Sequence, residues 1–249
     1  MFYTTLILMI AEEIHRITEL LPTGVRLVAV SKYHPAEAVR EAFAAGQRYF
    51  GESHAQELQR KHTELADLEA AGLEWHFIGH LQTNKVKYIA PYVSLIHSAD
   101  SPHLLSEINK QALKAGRTIR CLLQLHVAEE ETKFGFTPEE ALDYLDSGQW
   151  QQLSGVEITG VMAMATNTDD DDRRRADFLR ARQFFEKARN DYFSTRSTLD
   201  NQSPIDNPRP SSTFTELSMG MSDDWRIAVD CGATLIRIGT QIFGERNYG

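Results

Sequence analysis

Val25-Arg-Leu-Val-Ala-Val-Ser31 is an apolar, β-branched run, and the segment from Pro35 to Gly46 that follows it carries apolar residues at helical spacing. A short apolar run predicts a buried strand, and the 3.6-residue spacing predicts an amphipathic helix. This stretch is therefore predicted to be one strand–helix unit, and it sets the pattern for the rest of the chain.

The same unit recurs to the end of the sequence. Strands are predicted at 25–31, 48–50, 75–78, 93–97, 119–127, 156–163, 216–219 and 234–239. Helices are predicted at 9–21, 35–46, 55–71, 83–90, 102–115, 138–147, 173–193 and 223–231. Alternating strands and helices indicate an α/β protein with parallel strands, and eight such units close a (β/α)8 TIM barrel. An open, doubly wound sheet is the alternative that the pattern leaves open.

Length and charge limit the class of protein. The 249 residues suit a single barrel domain over 1–249, with 1–8 as an extension ahead of Met9 and 194–212 as a long polar loop. A net charge of −9 argues against nucleic acid as a partner. The apolar start at 1–10 is too short to span a membrane and lacks the flanks of a signal peptide. A cytoplasmic monomer is expected.

No metal site is expected. Cys121 and Cys231 are far apart, so they give neither a disulfide framework nor metal-ligand spacing. The four aspartates at 169–172 precede a predicted helix. They are interpreted as part of a solvated loop whose negative charge complements the N-terminus of that helix. A metal site is not favoured, because four consecutive side chains rarely all face one ion.

Lys32 directly follows the first strand, at the carboxyl end where barrel enzymes place their active sites. A partly desolvated lysine amine is a nucleophile of the kind that Schiff-base formation with a carbonyl requires. The alternative is a lysine that merely extends its amine into solvent from a strand end.

A second feature lies after the seventh and eighth strands. In barrels, the loops at these two positions often bind phosphate through backbone N–H groups. Here Gly220 and Gly239 allow close backbone approach, and Ser218 and Thr240 offer hydroxyl donors. A reactive amine beside a phosphate site predicts a ligand that carries both an aldehyde and a phosphate, which describes pyridoxal 5′-phosphate (PLP).

The chain resembles the family of PLP homeostasis proteins, which is related to the N-terminal barrel of alanine racemase. The resemblance covers nearly the whole chain and rests on Ala29-Val-Ser-Lys32, Ala45-Gly-Gln-Arg-Tyr-Phe-Gly-Glu52, Trp75-His-Phe-Ile-Gly-His-Leu-Gln-Thr-Asn-Lys85, Gly160-Val-Met162, Leu217-Ser-Met-Gly-Met-Ser-Asp-Asp224, Ile236-Arg-Ile-Gly-Thr240 and Phe243-Gly244. Two departures stand out, since Ser53 replaces the asparagine that is common in the family and the loop at 194–212 is longer than usual.

The resemblance implies a role for each candidate residue. Lys32 would hold PLP, a form of vitamin B6, as an internal aldimine, and Arg237 would lie beside the pyridine nitrogen and leave it unprotonated. PLP is then a weaker electron sink than it is beside an aspartate. Binding of the phosphate is expected from Ser218, Gly220, Gly239 and Thr240, and contact with the ring from His76 and Met162.

Three functions remain open on the sequence. The resemblance favours a protein that buffers or delivers PLP, with apo PLP-dependent enzymes as recipients and without turnover. A PLP-dependent amino-acid racemase is the alternative, but it needs a base on each face of the substrate Cα. In alanine racemase the second base comes from a C-terminal domain and a partner subunit, and the sequence here ends at Gly249. The third is a barrel that binds another phosphate ligand and uses Lys32 only structurally.

Overall fold

The computed structural model describes residues 2–128, 134–194 and 213–245, and the side chains from Met9 onward within them. The strands are β1 (Arg26–Val30), β2 (Tyr49–Glu52), β3 (Glu74–Phe77), β4 (Leu95–Ala99), β5 (Ile119–Leu125), β6 (Val156–Ala163), β7 (Glu216–Ser218) and β8 (Leu235–Ile238). The helices are α1 (Phe2–Leu20), α2 (Ala36–Ala44), α3 (Ala55–Glu64), α4 (Ala66–Ala70), α5 (Val86–Ile89), α6 (Pro102–Lys114), α7 (Pro138–Asp146), α8 (Asp171–Ala188), α9 (Trp225–Asp230) and α10 (Thr240–Phe243).

The eight strands form a closed parallel barrel in chain order. Closure is made by β8 against β1, with Arg26 opposite Leu235 and Ala29 opposite Ile238. The predicted (β/α)8 barrel is confirmed, and the open doubly wound sheet is wrong. All carboxyl ends of the strands therefore meet at one rim, which is where a barrel builds its functional site.

Some predicted helices are interrupted. The helix expected over 55–71 breaks at Leu65, whose backbone leaves the helical region at φ −122° and ψ 23° while its side chain is fully buried. The break lets Asp67 on α4 accept two hydrogen bonds from Arg40, at 2.6 and 2.8 Å. The helix expected over 173–193 ends as α8 at Ala188 and continues as one π turn.

The N-terminal segment and the run of aspartates match the predictions in part. Helix α1 begins at Phe2, so it covers most of the segment expected as an extension. Asp170 caps α8 by accepting from the N–H groups of Asp172 and Arg173, as the interpretation of the aspartate run requires. Among the described residues, no cluster suits a metal ion and no helix is long and apolar enough to cross a membrane. The predicted loop at 194–212 lies outside the described residues, except for Ser194.

Two hydrophobic clusters fill the fold. The larger one lies between the barrel and its helices. The smaller one joins side chains from β1, β4, β5, β6 and β8 and consists of Val28, Leu95, Leu122, Met162 and Leu235. Side chains of five different strands meet only inside the barrel, so this cluster is an interior layer, as expected for the fold.

Candidate functional site

A cavity of about 360 Å³ opens at the carboxyl ends of the strands. Its walls are formed by Val30, Lys32, Ser53, Ile78, Gly79, His80, Gln124, Phe134, Met164, Met221, Ser222, Arg237, Gly239 and Thr240. The volume lies in the range of about 300–1,000 Å³ that is typical of small-molecule and cofactor sites. Of the eight predicted site residues, the structure brings Lys32, Arg237, Gly239 and Thr240 together on this wall.

Lys32 is partly buried and lies in a turn directly after β1. The carbonyl of Ser31 accepts a hydrogen bond from the N–H of His34 at 3.0 Å, which closes the turn. Its third residue, Tyr33, has a φ of +67°, which bulky side chains rarely adopt. The side chain of Lys32 therefore reaches the cavity wall from a turn whose backbone conformation is closely constrained.

Arg237 gives the cavity a buried positive charge. Its side chain is 4% exposed and donates hydrogen bonds to Ser218 Oγ at 2.5 Å and to the carbonyl of Ala163 at 3.1 Å. Desolvation lowers the pKa of Arg237 to about 10, a shift that the carboxylate of Asp224 partly opposes. The guanidinium thus stays charged at neutral pH, and it forms no ion pair with a described residue.

Gly239 and Thr240 lie where β8 ends and α10 begins. A Cβ on Gly239 would come within 3.0 Å of the carbonyl oxygen of Val30, so a side chain here would press on β1. The first N–H groups of a helix lack partners within it and are available to an acceptor. The hydroxyl and amide of Thr240 therefore offer donors at the rim, which suits a phosphate.

Gly220 shapes the loop after β7 without lining the cavity. Its φ is +86°, and a Cβ would lie 2.7 Å from Ala228 Cβ and 2.8 Å from Trp225 Cα. Glycine is needed both for the backbone conformation and for the lack of space. The loop that it permits places Met221 and Ser222 on the cavity wall.

Ser218 and His76 lie deeper, in a hydrogen-bonded chain inside the barrel. Ser218 Oγ is 2.9 Å from His97 Nδ1, and His97 Nε2 is 3.0 Å from His76 Nδ1. Burial lowers the pKa of His76 to about 3 and that of His97 well below its ordinary value, so both rings are neutral at neutral pH. Because a guanidinium can only donate, the Ser218 oxygen accepts from Arg237, and the direction of its hydrogen bond with His97 depends on the tautomer of that ring.

The structure does not bring Ser218, His76 and Met162 to the cavity wall. The Ser218 hydroxyl is used by Arg237 and His97, and Met162 belongs to the interior layer. Met164, two residues further along the chain, lines the cavity instead. Contact of a bound ligand with these three side chains, or with Gly220, stays a prediction.

Several cavity residues were not predicted. Ser53, Gly79 and Met164 each follow a strand closely, so inspecting every strand end in the sequence would have found them. A Cβ on Gly79 would overlap the carbonyl oxygen of Ser53, which explains the glycine.

Strand β5 and the connection after it contribute two further cavity residues that no short motif marks, Gln124 and Phe134. Gln124 Nε2 donates to the carbonyl of Phe134 at 2.6 Å. The Phe134 ring stacks on His80 with centroids 3.8 Å apart, and His80 Nδ1 lies 3.0 Å from Asp100 Oδ2. These contacts form one side of the cavity mouth.

The donor set fits a ligand that combines an aldehyde, an aromatic ring and a phosphate. Lys32 provides an amine, the start of α10 provides donors for an anion, and Arg237 provides a fixed cation without a paired carboxylate among the described residues. A phosphate is held by such donors, and a carbonyl carbon is attacked by such an amine. PLP carries all three groups, so the residues present fit it.

Known proteins match the chain over most of its length. Residues 9–247 match the family model described as the N-terminal domain of alanine racemase. The pyridoxal phosphate homeostasis protein of Aquifex aeolicus is 36% identical over 223 residues, which cover 90% of this chain and 88% of that protein. The protein of the same name from Pseudomonas aeruginosa is 38% identical, and the match covers 92% and 87% of the two chains.

Solved structures also match the chain over most of its length. PipY of Synechococcus elongatus with PLP bound is 38% identical, with a TM-score of 0.79 over 94% of this chain and 100% of that chain. Alanine racemase from Bartonella henselae is 13% identical, with a TM-score of 0.62 over 97% of this chain and 61% of that chain. The second likeness concerns the fold alone.

Proposed function

The chain belongs to the family of the alanine racemase N-terminal domain and, within it, to the pyridoxal phosphate homeostasis proteins, and we propose that it binds PLP in order to buffer or deliver it. The observation that carries the proposal is the placement of Lys32, Arg237 and Thr240 on one cavity wall. The proposal includes a cytoplasmic monomer that supplies apo PLP-dependent enzymes.

Each residue has a separate task. When bound, PLP supplies an aldehyde carbon for a covalent bond to an amine and a phosphate for hydrogen-bond donors. The amine is that of Lys32, and the donors are the amide and hydroxyl of Thr240 next to the backbone of Gly239, with the Ser222 hydroxyl nearby on the same wall. Arg237 faces the ring nitrogen in this proposal, and its buried guanidinium keeps its own proton.

Arg237 also favours binding over turnover. Removal of a Cα proton from an amino acid leaves negative charge that a protonated pyridine ring would accept. A guanidinium that retains its proton does not protonate the ring nitrogen. The racemase alternative has one observation in its favour, because His80 lines the cavity and its Nδ1 is held by Asp100, as a general base would be.

The two functions are separated by one set of samples. The chain is loaded with PLP, freed of excess cofactor by gel filtration, and divided between two assays. We expect the loaded chain to restore the activity of an apo PLP-dependent enzyme. In deuterated water with alanine, we expect little deuterium at Cα.

The possible results decide between the proposals. Deuterium incorporation at the rate of an enzyme would establish the racemase alternative, and its loss in His80→Gln would identify the second base. Failure to retain PLP through gel filtration would overturn both functions. An apo enzyme incubated with the unloaded chain serves as the control for delivery.

A further inference from the structure

A buried ionic cluster lies behind the turn that carries Lys32. Lys61, on α3, is fully buried, and its Nζ donates to Glu52 Oε1 at 2.7 Å and to Glu57 Oε1 at 2.9 Å. The same Nζ donates to the carbonyl of Ser31 at 2.7 Å. Burying a lysine costs much free energy unless it is paired and hydrogen-bonded, and here all three of its protons have acceptors.

The cluster also holds the other side of Lys32. The N–H of Tyr33 donates to Glu57 Oε1 at 2.7 Å. The carbonyl of Ser31 and the N–H of Tyr33 belong to the residues that flank Lys32, so the backbone is fixed both before and after the lysine. Glu52 adds a third anchor, since its Oε1 accepts from Ser31 Oγ at 2.7 Å.

The conformation of the turn explains why such anchors are needed. The turn runs from Ser31 to His34, and Tyr33 occupies its third position with φ at +67°. A positive φ at the third position is a feature of type II turns, which normally have glycine there. A tyrosine is strained in that conformation and stays in it only when surrounding contacts impose it. The hydrogen bond from Tyr33 to Glu57 is such a contact.

The cluster is also electrostatically costly. It contains one cation and two carboxylates, and Glu52 Oε2 has no hydrogen-bond partner among the described residues. Desolvation raises the pKa of Glu52 to about 7, although Lys61 opposes the shift. Buried ion pairs often contribute less to stability than apolar side chains of the same volume would. A role in placing the Lys32 turn accounts for a cluster that the fold alone does not require.

We propose that Lys61, Glu52 and Glu57 are positioning residues that hold the Lys32 turn, and so direct the amine of Lys32 at the cofactor's aldehyde carbon. The inference rests on the proposed function. In the attachment, the neutral amine forms a C–N bond to the aldehyde carbon, and the aldehyde oxygen leaves as water with the two amine protons. No oxidant or reductant takes part.

Glu57 offers the cleanest test because its side chain is only partly buried, at 15% exposure. Glu57→Ala removes the acceptor of the Tyr33 N–H, whereas Glu57→Gln keeps an oxygen that can accept from it. Glu64→Ala on the same helix is the matched control, since Glu64 pairs with Arg60 at the surface and is not a member of the buried cluster. Two quantities are measured for each protein: the rate of covalent attachment of PLP and the Kd of pyridoxine 5′-phosphate, which lacks the aldehyde.

We expect Glu57→Ala to slow attachment about tenfold, the equivalent of one hydrogen bond. The Kd of pyridoxine 5′-phosphate should stay within about twofold of the wild-type value, because the substitution leaves the contacts of the ring and the phosphate in place. Glu57→Gln should restore most of the rate, and Glu64→Ala should match the wild type. A rate for Glu57→Ala equal to that of the wild type would overturn the inference, as would an equal loss in analogue binding.

A double substitution tests the strain directly. Tyr33→Gly removes the cost of positive φ, so Glu57→Ala should slow attachment less in the Tyr33→Gly background than in the wild type. An undiminished effect of Glu57→Ala there would contradict the role of the turn. Failure of the wild type to attach PLP would overturn the proposed function. Equally fast attachment by the wild type and Glu57→Ala would instead overturn only the role of the cluster.

Discussion

Thr240 lines the cavity at the start of α10. We expect Thr240→Ala to weaken PLP retention by about 1.5–3 kcal/mol, because one charge-assisted hydrogen bond to the phosphate is lost. Covalent attachment to Lys32 should persist at saturating PLP. The dissociation rate after gel filtration measures the effect, with Thr63→Ala on the exposed face of α3 as the control. Equal rates of PLP dissociation from the wild type, Thr240→Ala and Thr63→Ala would show that the phosphate binds elsewhere.

At the scale of the residue, the predicted site residues lie at two different depths in the barrel. Lys32, Gly239 and Thr240 lie just beyond the last strand residue, and all three line the cavity. Met162 and Ser218 are still within strands and face the interior. Two residues along a strand span about 6.6 Å, so candidates on the same face of a strand can lie in different layers of the barrel, a difference that the sequence pattern does not resolve.

At the scale of the element, the hydrogen-bonded chain inside the barrel was outside the reach of sequence reasoning. His97 and Ser218 are 121 positions apart and meet only because β4 and β7 both face the barrel interior. The hydrophobic period predicts which strands exist, but the residue opposite another across a barrel depends on strand register and stagger. The break of the helix at Leu65 likewise follows from tertiary packing, since nothing in its own spacing marks it.

The same interior histidines make the barrel sensitive to acid. The pKa of His76 is lowered to about 3 by burial, so the unfolded chain binds a proton that the folded barrel excludes. Above the ordinary histidine pKa, His76 is neutral in both states, and this group does not make stability depend on pH. As the pH falls below that pKa, the unfolded chain takes up the proton and is stabilised relative to the folded barrel. Between about pH 6.5 and pH 4, the free energy of unfolding should fall by up to about 1.4 kcal/mol per pH unit for this group.

His76→Gln removes the titrating group. The free energy of unfolding of this variant should therefore fall less steeply between about pH 6.5 and pH 4, by up to about 1.4 kcal/mol per pH unit. Denaturant unfolding at a series of pH values measures the slope for each protein. His15→Gln provides the control, because His15 is exposed on α1. Parallel pH profiles for the wild type and His76→Gln would show that His76 is not held neutral in the folded barrel.

At the scale of the whole molecule, the chain order of the strands was predictable and the cavity mouth was not. Eight repeated units and short connections leave few arrangements other than the barrel, and closure of β8 on β1 follows from their number. The mouth depends on Phe134 and His80, which come from different connections and stack on one another. Such a contact requires the finished barrel, so the sequence carries no local signal for it.

The central claim is that the amine of Lys32 is the covalent attachment point of PLP. The most direct measurement is borohydride reduction of the PLP-loaded chain, followed by proteolysis and mass spectrometry of the labelled peptide, with Lys110→Ala as a matched control on the surface of α6. We predict one label per chain, on Lys32, in the wild type and in Lys110→Ala, and none in Lys32→Ala. A label on another lysine, or a label that persists in Lys32→Ala, would contradict the assignment.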